Sequence, residues 1–189
     1  MMKAEIAMHR AVFLDRDGVI SRSIIRDGKP YAPLSTEELE LLPEVPQALQ
    51  LLRDAGFKLV VVTNQPDVAR GALSREKVDQ MNRRLFANLP IDSVKVCAHT
   101  DQDGCDCRKP KPGMLLAAAR ELAIDLGHSF MVGDRWRDIG AGQAAGCRTI
   151  LIETGIQEAE YRKPDWIVAS LREASLLILR EGKAISDAF

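Results

Sequence analysis

Residues 58–63, Lys-Leu-Val-Val-Val-Thr, form a run that is β-branched and almost wholly apolar. Such a run reads as a strand buried on both faces, which requires a packed layer above it and another below. It is one of a series. Short apolar runs at 11–14, 93–97, 129–132, 149–152 and 166–168 alternate with stretches of helical spacing at 45–55, 74–89, 113–123, 138–145 and 171–179. This alternation predicts an α/β fold, a Rossmann-like, doubly wound parallel sheet with helices on both faces. Ser74 suits a helix N-cap, although Lys77 stands where a capping-box acid would. The longest stretch without a clear element is 21–43, and loops of that length are usually functional or mobile. The tail 181–189 is expected to fray.

The chain has 189 residues, which favours a single domain over 1–189 with a core at about 11–180. Its formal net charge of −1 gives no basic field for nucleic acid or an anionic membrane, and leaves room for a local site that binds a small anion. No stretch reaches the roughly 18–20 apolar residues of a membrane span. The N-terminus lacks the apolar core of a secretory signal, because Glu5 interrupts it. The expectation is a cytoplasmic protein acting on a small molecule.

In a parallel sheet, ligands bind beyond the carboxyl ends of the strands, so the polar residues there should form one chemical set. They are Asp15 and Asp17, Thr63 and Asn64, Cys97 and His99, and Asp134. Two carboxylates two residues apart at a strand end repel unless a cation joins them, and magnesium, which prefers oxygen ligands, suits them. Asp15 could then attack phosphorus while Asp17 exchanges protons with the leaving oxygen and with water. Gly18 allows the sharp turn. Taken alone, the pair is equally a turn capped by aspartates.

Cys97, His99, Cys105 and Cys107 offer three thiolates and an imidazole, a tetrahedral set for zinc. Four protein ligands leave no open position, so the site reads as structural, closing the loop 97–107 that leads to Arg108 and Lys109. A reduced, unbound cluster or an incidental disulfide are the competing readings. Cys147 reads as a buried small apolar residue.

Four ordered motifs resemble the haloacid dehalogenase superfamily of phosphatases: Asp15-Arg-Asp17-Gly-Val, the end of LVVVT with Thr63, Lys109 in CRKPKPGM, and VGDRWRD with Asp134 and Asp138. The resemblance implies a nucleophile at Asp15, a general acid/base at Asp17, and phosphate binding by Thr63 and Lys109. It implies magnesium held by Asp15, the Asp17 backbone carbonyl and Asp134. Asp138 would support Lys109 or a metal-bound water. CxH followed by CDCRKPKPGM resembles the D-glycero-D-manno-heptose-1,7-bisphosphate phosphatases and the histidinol-phosphate phosphatases, groups with a zinc loop and little or no cap domain. VTNQ with ARG at 69–71 is closer to the heptose group, the short His99–Cys105 spacing to the histidinol group. Pro66-Asp67 stands where the heptose enzymes usually have Ser-Gly.

Arg108 could pair bidentately with a second phosphate, Arg70 and Arg135 are further cationic candidates, and Asn64 could donate to the phosphoryl group. Trp136 is either exposed or packed on the next helix. The expected function is magnesium-dependent hydrolysis of the C7 phosphate of a heptose bisphosphate, as in nucleotide-heptose and lipopolysaccharide precursor synthesis, by a monomer. Histidinol-phosphate hydrolysis is the alternative within the superfamily. A catalytically silent, zinc-stabilised binding module is the alternative outside enzymology.

Overall fold

The computed structural model describes residues 8–155, 160 and 162–186. Six strands make one sheet: β1 (Ala11–Leu14), β4 (Lys58–Asn64), β5 (Ser93–Cys97), β6 (Phe130–Gly133), β7 (Arg148–Ile152) and β8 (Trp166–Val168). Their order is β5-β4-β1-β6-β7-β8, and every neighbouring pair is parallel. Because β1 is flanked by β4 on one side and β6 on the other, the order reverses at β1. A crevice opens at such a switch point.

Period-two alternation assigns the two faces. Val12, Leu14, Leu59, Val61, Phe130 and Val132 pack in one core with α1 (Val45–Asp54), α2 (Arg75–Asn88) and α5 (Leu171–Ser186). Ala11, Phe13, Val60, Val62 and Met131 face the other core, against α3 (Gly113–Leu122) and α4 (Trp136–Ala145). Fully burying each of the Val, Leu, Phe and Met side chains among these stabilises by about 1.5–3 kcal/mol, so a strand apolar on both faces is held in place twice. The doubly wound sheet expected from the alternation is present. Cys147 is buried in the second core, as read from its sequence context.

Three local expectations change. The stretch 21–43 contains an antiparallel hairpin, β2 (Ile24–Arg26) with β3 (Lys29–Tyr31), turned by Asp27 (φ 50°) and Gly28 (φ 71°). Two successive positive φ angles suit the right-handed twist of the flanking strands. Among the described residues this hairpin is the only element between β1 and α1, consistent with a minimal cap. Helix α4 starts at Trp136 instead of Asp138, because the Asp138 carboxylate accepts the Arg135 N–H (3.0 Å) and so caps the first turn. Helix α5 continues through the tail expected to fray, as far as Ser186. Arg10 donates to the Gly182 carbonyl (3.0 Å) and Arg148 pairs with Glu181, which ties those turns to the body. Residues 187–189 lie outside the described residues. Among the described residues no helix is long and apolar enough to cross a membrane.

Candidate active site

The pairing register sets Leu14 beside Val61 on one side and Val132 on the other, so β1, β4 and β6 end at one level. The residues that follow line a cavity of about 320 Å³: Asp15, Asp17, Thr63, Lys109, Asp134 and Asp138 form its floor. Arg70, Arg108, Arg135 and Arg137 also line it, with Tyr31 from the hairpin.

Lys109 organises the floor. Its side chain is only 2% exposed, and its ammonium contacts Asp15 Oδ1 (2.8 Å), Asp138 Oδ1 (2.6 Å) and the Val62 carbonyl (2.8 Å). Three donors meet three acceptors. Lysine burial would lower its pKa, but the Asp138 and Asp15 carboxylates outweigh this and hold it above the usual lysine range. Asp138 uses its other oxygen on the Arg135 N–H, so it contacts Lys109 with one carboxylate oxygen and the start of α4 with the other.

Asp15 Oδ1 accepts from the Arg16 N–H (2.8 Å) and from Lys109. Burial, reinforced by the neighbouring Asp138 and Asp17 carboxylates, outweighs Lys109 and pushes Asp15 up to about 7. Asp134 is raised too, by burial first and then by Asp138 and Asp15. Its Oδ1 is buried without a hydrogen-bond partner among the described residues. Ligand oxygens of Asp15, Asp134 and Asp138 all lie within 4.8 Å of one another. Three carboxylates around one ammonium leave excess negative charge and one orphaned oxygen, which is what an oxygen-liganded divalent cation resolves. Magnesium therefore fits. Gly18 is required here: at φ +96° it turns the chain, and a Cβ on it would sit 2.2 Å from Asp134 Oδ2.

Asp17 is held by residues that sequence reasoning missed. Arg16, 0% exposed, donates to both of its oxygens (2.9 and 3.0 Å). Ser21 Oγ (3.0 Å) and Gln65 Nε2 (2.8 Å) bond it as well. Gln65 Nε2 also bonds the Thr63 hydroxyl (2.8 Å), linking the ends of β1 and β4. The signal available for both residues was adjacency: each directly follows a candidate site residue. Asn64 turns out to be employed on the backbone, since it donates to the Lys109 carbonyl and accepts the Lys109 N–H, both at 3.1 Å. Arg70 pairs with Asp67 (3.2 Å) at the cavity edge, and Arg108 with Asp101 (2.8 Å). Arg137, also missed, bonds Asp101 (2.9 Å) and lies 4.8 Å over the half-buried Trp136 ring.

The cysteine cluster assembles as the spacing predicted. Cys107 Sγ lies 3.2 Å from Cys97 Sγ and 3.5 Å from Cys105 Sγ; Cys97 and Cys105 are 3.8 Å apart. His99 Nδ1 is 3.3 Å from Cys107 and 3.6 Å from Cys97. No disulfide links the cysteines. A tetrahedron with zinc–sulfur bonds of about 2.3 Å has sulfur–sulfur edges of about 3.8 Å and slightly shorter sulfur–nitrogen edges, close to these spacings. Burial, then the bonds shared with Cys97 and Cys105, pushes Cys107 up to about 12. For Cys105, burial is outweighed by hydrogen bonds, the one from Cys107 foremost, which draw it down to about 7. Neighbouring thiols titrate apart because one thiolate opposes the next, and a divalent cation would hold all three deprotonated. The set fits zinc.

Residues 106–174 match the family model described as HAD-hydrolase-like. Fold and site together define a haloacid dehalogenase-type hydrolase. The D-glycero-beta-D-manno-heptose-1,7-bisphosphate 7-phosphatase of Pasteurella multocida is 37% identical over 185 residues, covering 90% of this chain and 97% of the relative. That of Vibrio cholerae is 38% identical over 188 residues, covering 92% and 98%. The crystal structure of D,D-heptose 1,7-bisphosphate phosphatase from B. bronchiseptica, complexed with magnesium and phosphate, superposes with a TM-score of 0.78 at 31% identity, covering 91% of this chain and 99% of that one. The chain belongs to the family of the D-glycero-D-manno-heptose-1,7-bisphosphate 7-phosphatases.

Proposed function

We propose that the protein is a magnesium-dependent phosphatase that removes the C7 phosphate of D-glycero-D-manno-heptose 1,7-bisphosphate through a phospho-aspartyl intermediate on Asp15. The observation that carries this reading is the state of Asp15. It is buried at the cavity floor with Oδ1 taken by Lys109 and the Arg16 N–H, which leaves Oδ2 as the attacking oxygen. The relatives' names supply the substrate class.

In this reading Asp15 Oδ2 bonds to phosphorus as the bond from phosphorus to the sugar oxygen breaks. Asp17, held by Arg16, Ser21 and Gln65, gives that oxygen its proton. Asp17 then takes a proton from water, whose oxygen attacks phosphorus, releasing inorganic phosphate and restoring Asp15. Thr63, oriented by Gln65, donates to the phosphoryl oxygens, and Lys109 supplies the nearest positive charge. Asp15, the Asp17 carbonyl and Asp134 would hold magnesium. Magnesium when bound neutralises charge on the carboxylates and the phosphoryl group. Cys97, His99, Cys105 and Cys107 would hold a structural zinc. Arg108, Arg70 and Arg135 are the cations for the substrate's remaining phosphate. The chain acts in the cytoplasm as a single-domain monomer in nucleotide-heptose and lipopolysaccharide precursor synthesis.

The test is phosphate release, with magnesium, from both anomers of the heptose 1,7-bisphosphate beside histidinol phosphate. Preference for a heptose bisphosphate is the expected result and identifies the anomer. Preference for histidinol phosphate moves the protein to amino-acid biosynthesis. Release from neither reopens the binding-module reading.

A further inference from the structure

We propose that Asp101 is a positioning residue: it holds the Arg108 and Arg137 guanidiniums side by side at the mouth of the catalytic cavity, and so makes the order of the zinc loop part of substrate affinity. This rests on the reading that the substrate carries a second anionic group besides the phosphate being cleaved.

Asp101 lies two residues beyond His99, at the start of a single 3₁₀ turn, Asp101–Asp103. That turn is fixed locally: the Thr100 N–H and hydroxyl both donate to Asp103 Oδ2, at 2.6 and 2.8 Å. The loop geometry set by the four zinc-ligand residues therefore carries directly into the position of the Asp101 carboxylate. Its Oδ1 accepts from Arg108 Nε (2.8 Å) and from Arg137 Nη1 (2.9 Å), and its Oδ2 from Arg137 Nη2 (3.4 Å). The bond from Arg108, ahead of the charge of the two guanidiniums, holds the Asp101 carboxyl below the usual carboxylate range.

Two guanidiniums this close repel, and a shared carboxylate is what lets them lie together. The Asp101 side chain is 59% exposed, and an exposed ion pair contributes little to folding. What the arrangement does is orient. Arg108 is further pinned by its Nη1 bond to the His99 carbonyl (3.2 Å), and Arg137 by a long contact to the Lys109 carbonyl (3.4 Å) and by the Trp136 ring. Among the described residues Arg108 Nη2 makes no hydrogen bond, and both arginines line the cavity. A planar fork held in advance loses less freedom when it grips a phosphate or carboxylate than one that must be ordered on binding.

Charge alone and positioning predict opposite signs, which makes the test decisive. Removing a negative charge from the mouth should tighten anion binding if long-range attraction dominates. It should weaken binding if orientation dominates. Kinetics would be measured for the wild type and Asp101→Asn, with the heptose 1,7-bisphosphate and with p-nitrophenyl phosphate, which has no second phosphate. Zinc content and melting temperature are recorded alongside.

The expected result is a KM for the bisphosphate raised about tenfold, with kcat changed by less than about twofold and the monoester little affected. Arg137→Gln, which lies outside the zinc loop, should repeat the selective rise, and the double variant should add little to either single one. If Asp101→Asn loses zinc, Asp101→Glu, which keeps the charge and displaces the carboxylate, carries the comparison: a raised KM for the bisphosphate alone supports positioning, and an unchanged KM overturns it. An unchanged or lowered KM, or equal losses on both substrates, overturns the proposal. The wild-type measurement tests the underlying reading separately: no preference for the bisphosphate over the monoester removes the second anionic group, and the clamp's task with it, before any variant is considered.

Discussion

At the scale of single side chains, the floor of the site sets three carboxylates around one ammonium that contacts only two of them, Asp15 and Asp138, and its chemistry follows from that imbalance. Replacing Asp15 by Asn removes a buried charge that faces Asp138 and Asp17. Asp15→Asn is expected to abolish phosphate release while thermal unfolding without magnesium stays unchanged or rises, and zinc content is kept. Full residual activity in that variant would sink the mechanism. Gly18→Ala meets two obstacles at once, a positive φ and a Cβ 2.2 Å from Asp134 Oδ2. It should lose about 1–3 kcal/mol of stability and most of its magnesium affinity, read by urea unfolding and by calorimetric titration of magnesium. The Asp15, Asp17 and Asp134 positions were legible because each follows a strand end. The companions Arg16 and Gln65 were not, because an arginine in a sequence reads as solvated until a fold buries it.

At the scale of elements, Asp92 ties the start of β4 to α1. It accepts from Arg53 (2.8 Å), Lys58 (3.2 Å) and the Leu59 N–H (2.8 Å). Against the opposing effect of burial, these bonds, the Leu59 N–H foremost, hold its carboxyl below the usual range. A depressed folded pKa stabilises above the unfolded value of about 3.9 and is lost as pH falls through the folded value. Asp92→Asn should therefore cost about 1–3 kcal/mol, unchanged between about pH 7 and 5, and the gap to wild type should narrow below about pH 4. Urea unfolding across that range checks it. The zinc loop makes a separate prediction. Chelating zinc should loosen 97–107 and lower the melting temperature by several degrees, since about 1 kcal/mol corresponds to roughly 2–4 °C in a chain of this size. Differential scanning fluorimetry with and without a zinc chelator reads this. The grouping of Cys97, His99, Cys105 and Cys107 was visible from spacing alone. The hairpin β2–β3 was not recognised, although Asp27-Gly28 is a favoured hairpin turn pair, because strands of three residues carry too little alternation to read.

At the scale of the whole molecule, the cavity joins the ends of β1, β4 and β6 with the loop that leads into α3, so its order and the fold's stability are coupled. Magnesium binding to the folded state should stabilise the protein by about 2.7 kcal/mol at a hundredfold excess over its dissociation constant. That is a rise of roughly 5–10 °C in melting temperature, and Asp134→Asn should abolish it. A melt across a magnesium titration makes the measurement. The parallel sheet with helices on both faces was legible from the alternation of elements, whereas the strand order and its switch point at β1 came from the tertiary structure. The register that brings Leu14 level with Val61 and Val132 was not legible either, since it depends on how side chains of both cores interdigitate.

The sequence by itself determined the classes of side chain brought to the site: carboxylates at strand ends, a nitrogen-and-sulfur set that fits zinc, and strands apolar on both faces that demand two helical layers. Each of these is carried by residues close together in the chain or by a short repeating pattern. The tertiary structure decided who meets whom across long separations. Lys109 reaches Val62, Asp15 and Asp138, Arg16 reaches Asn82, and Asp101 reaches Arg137. Such pairings depend on the path of the whole backbone, and a charged side chain gives no local sign of whether that path will bury it, pair it or leave it in water.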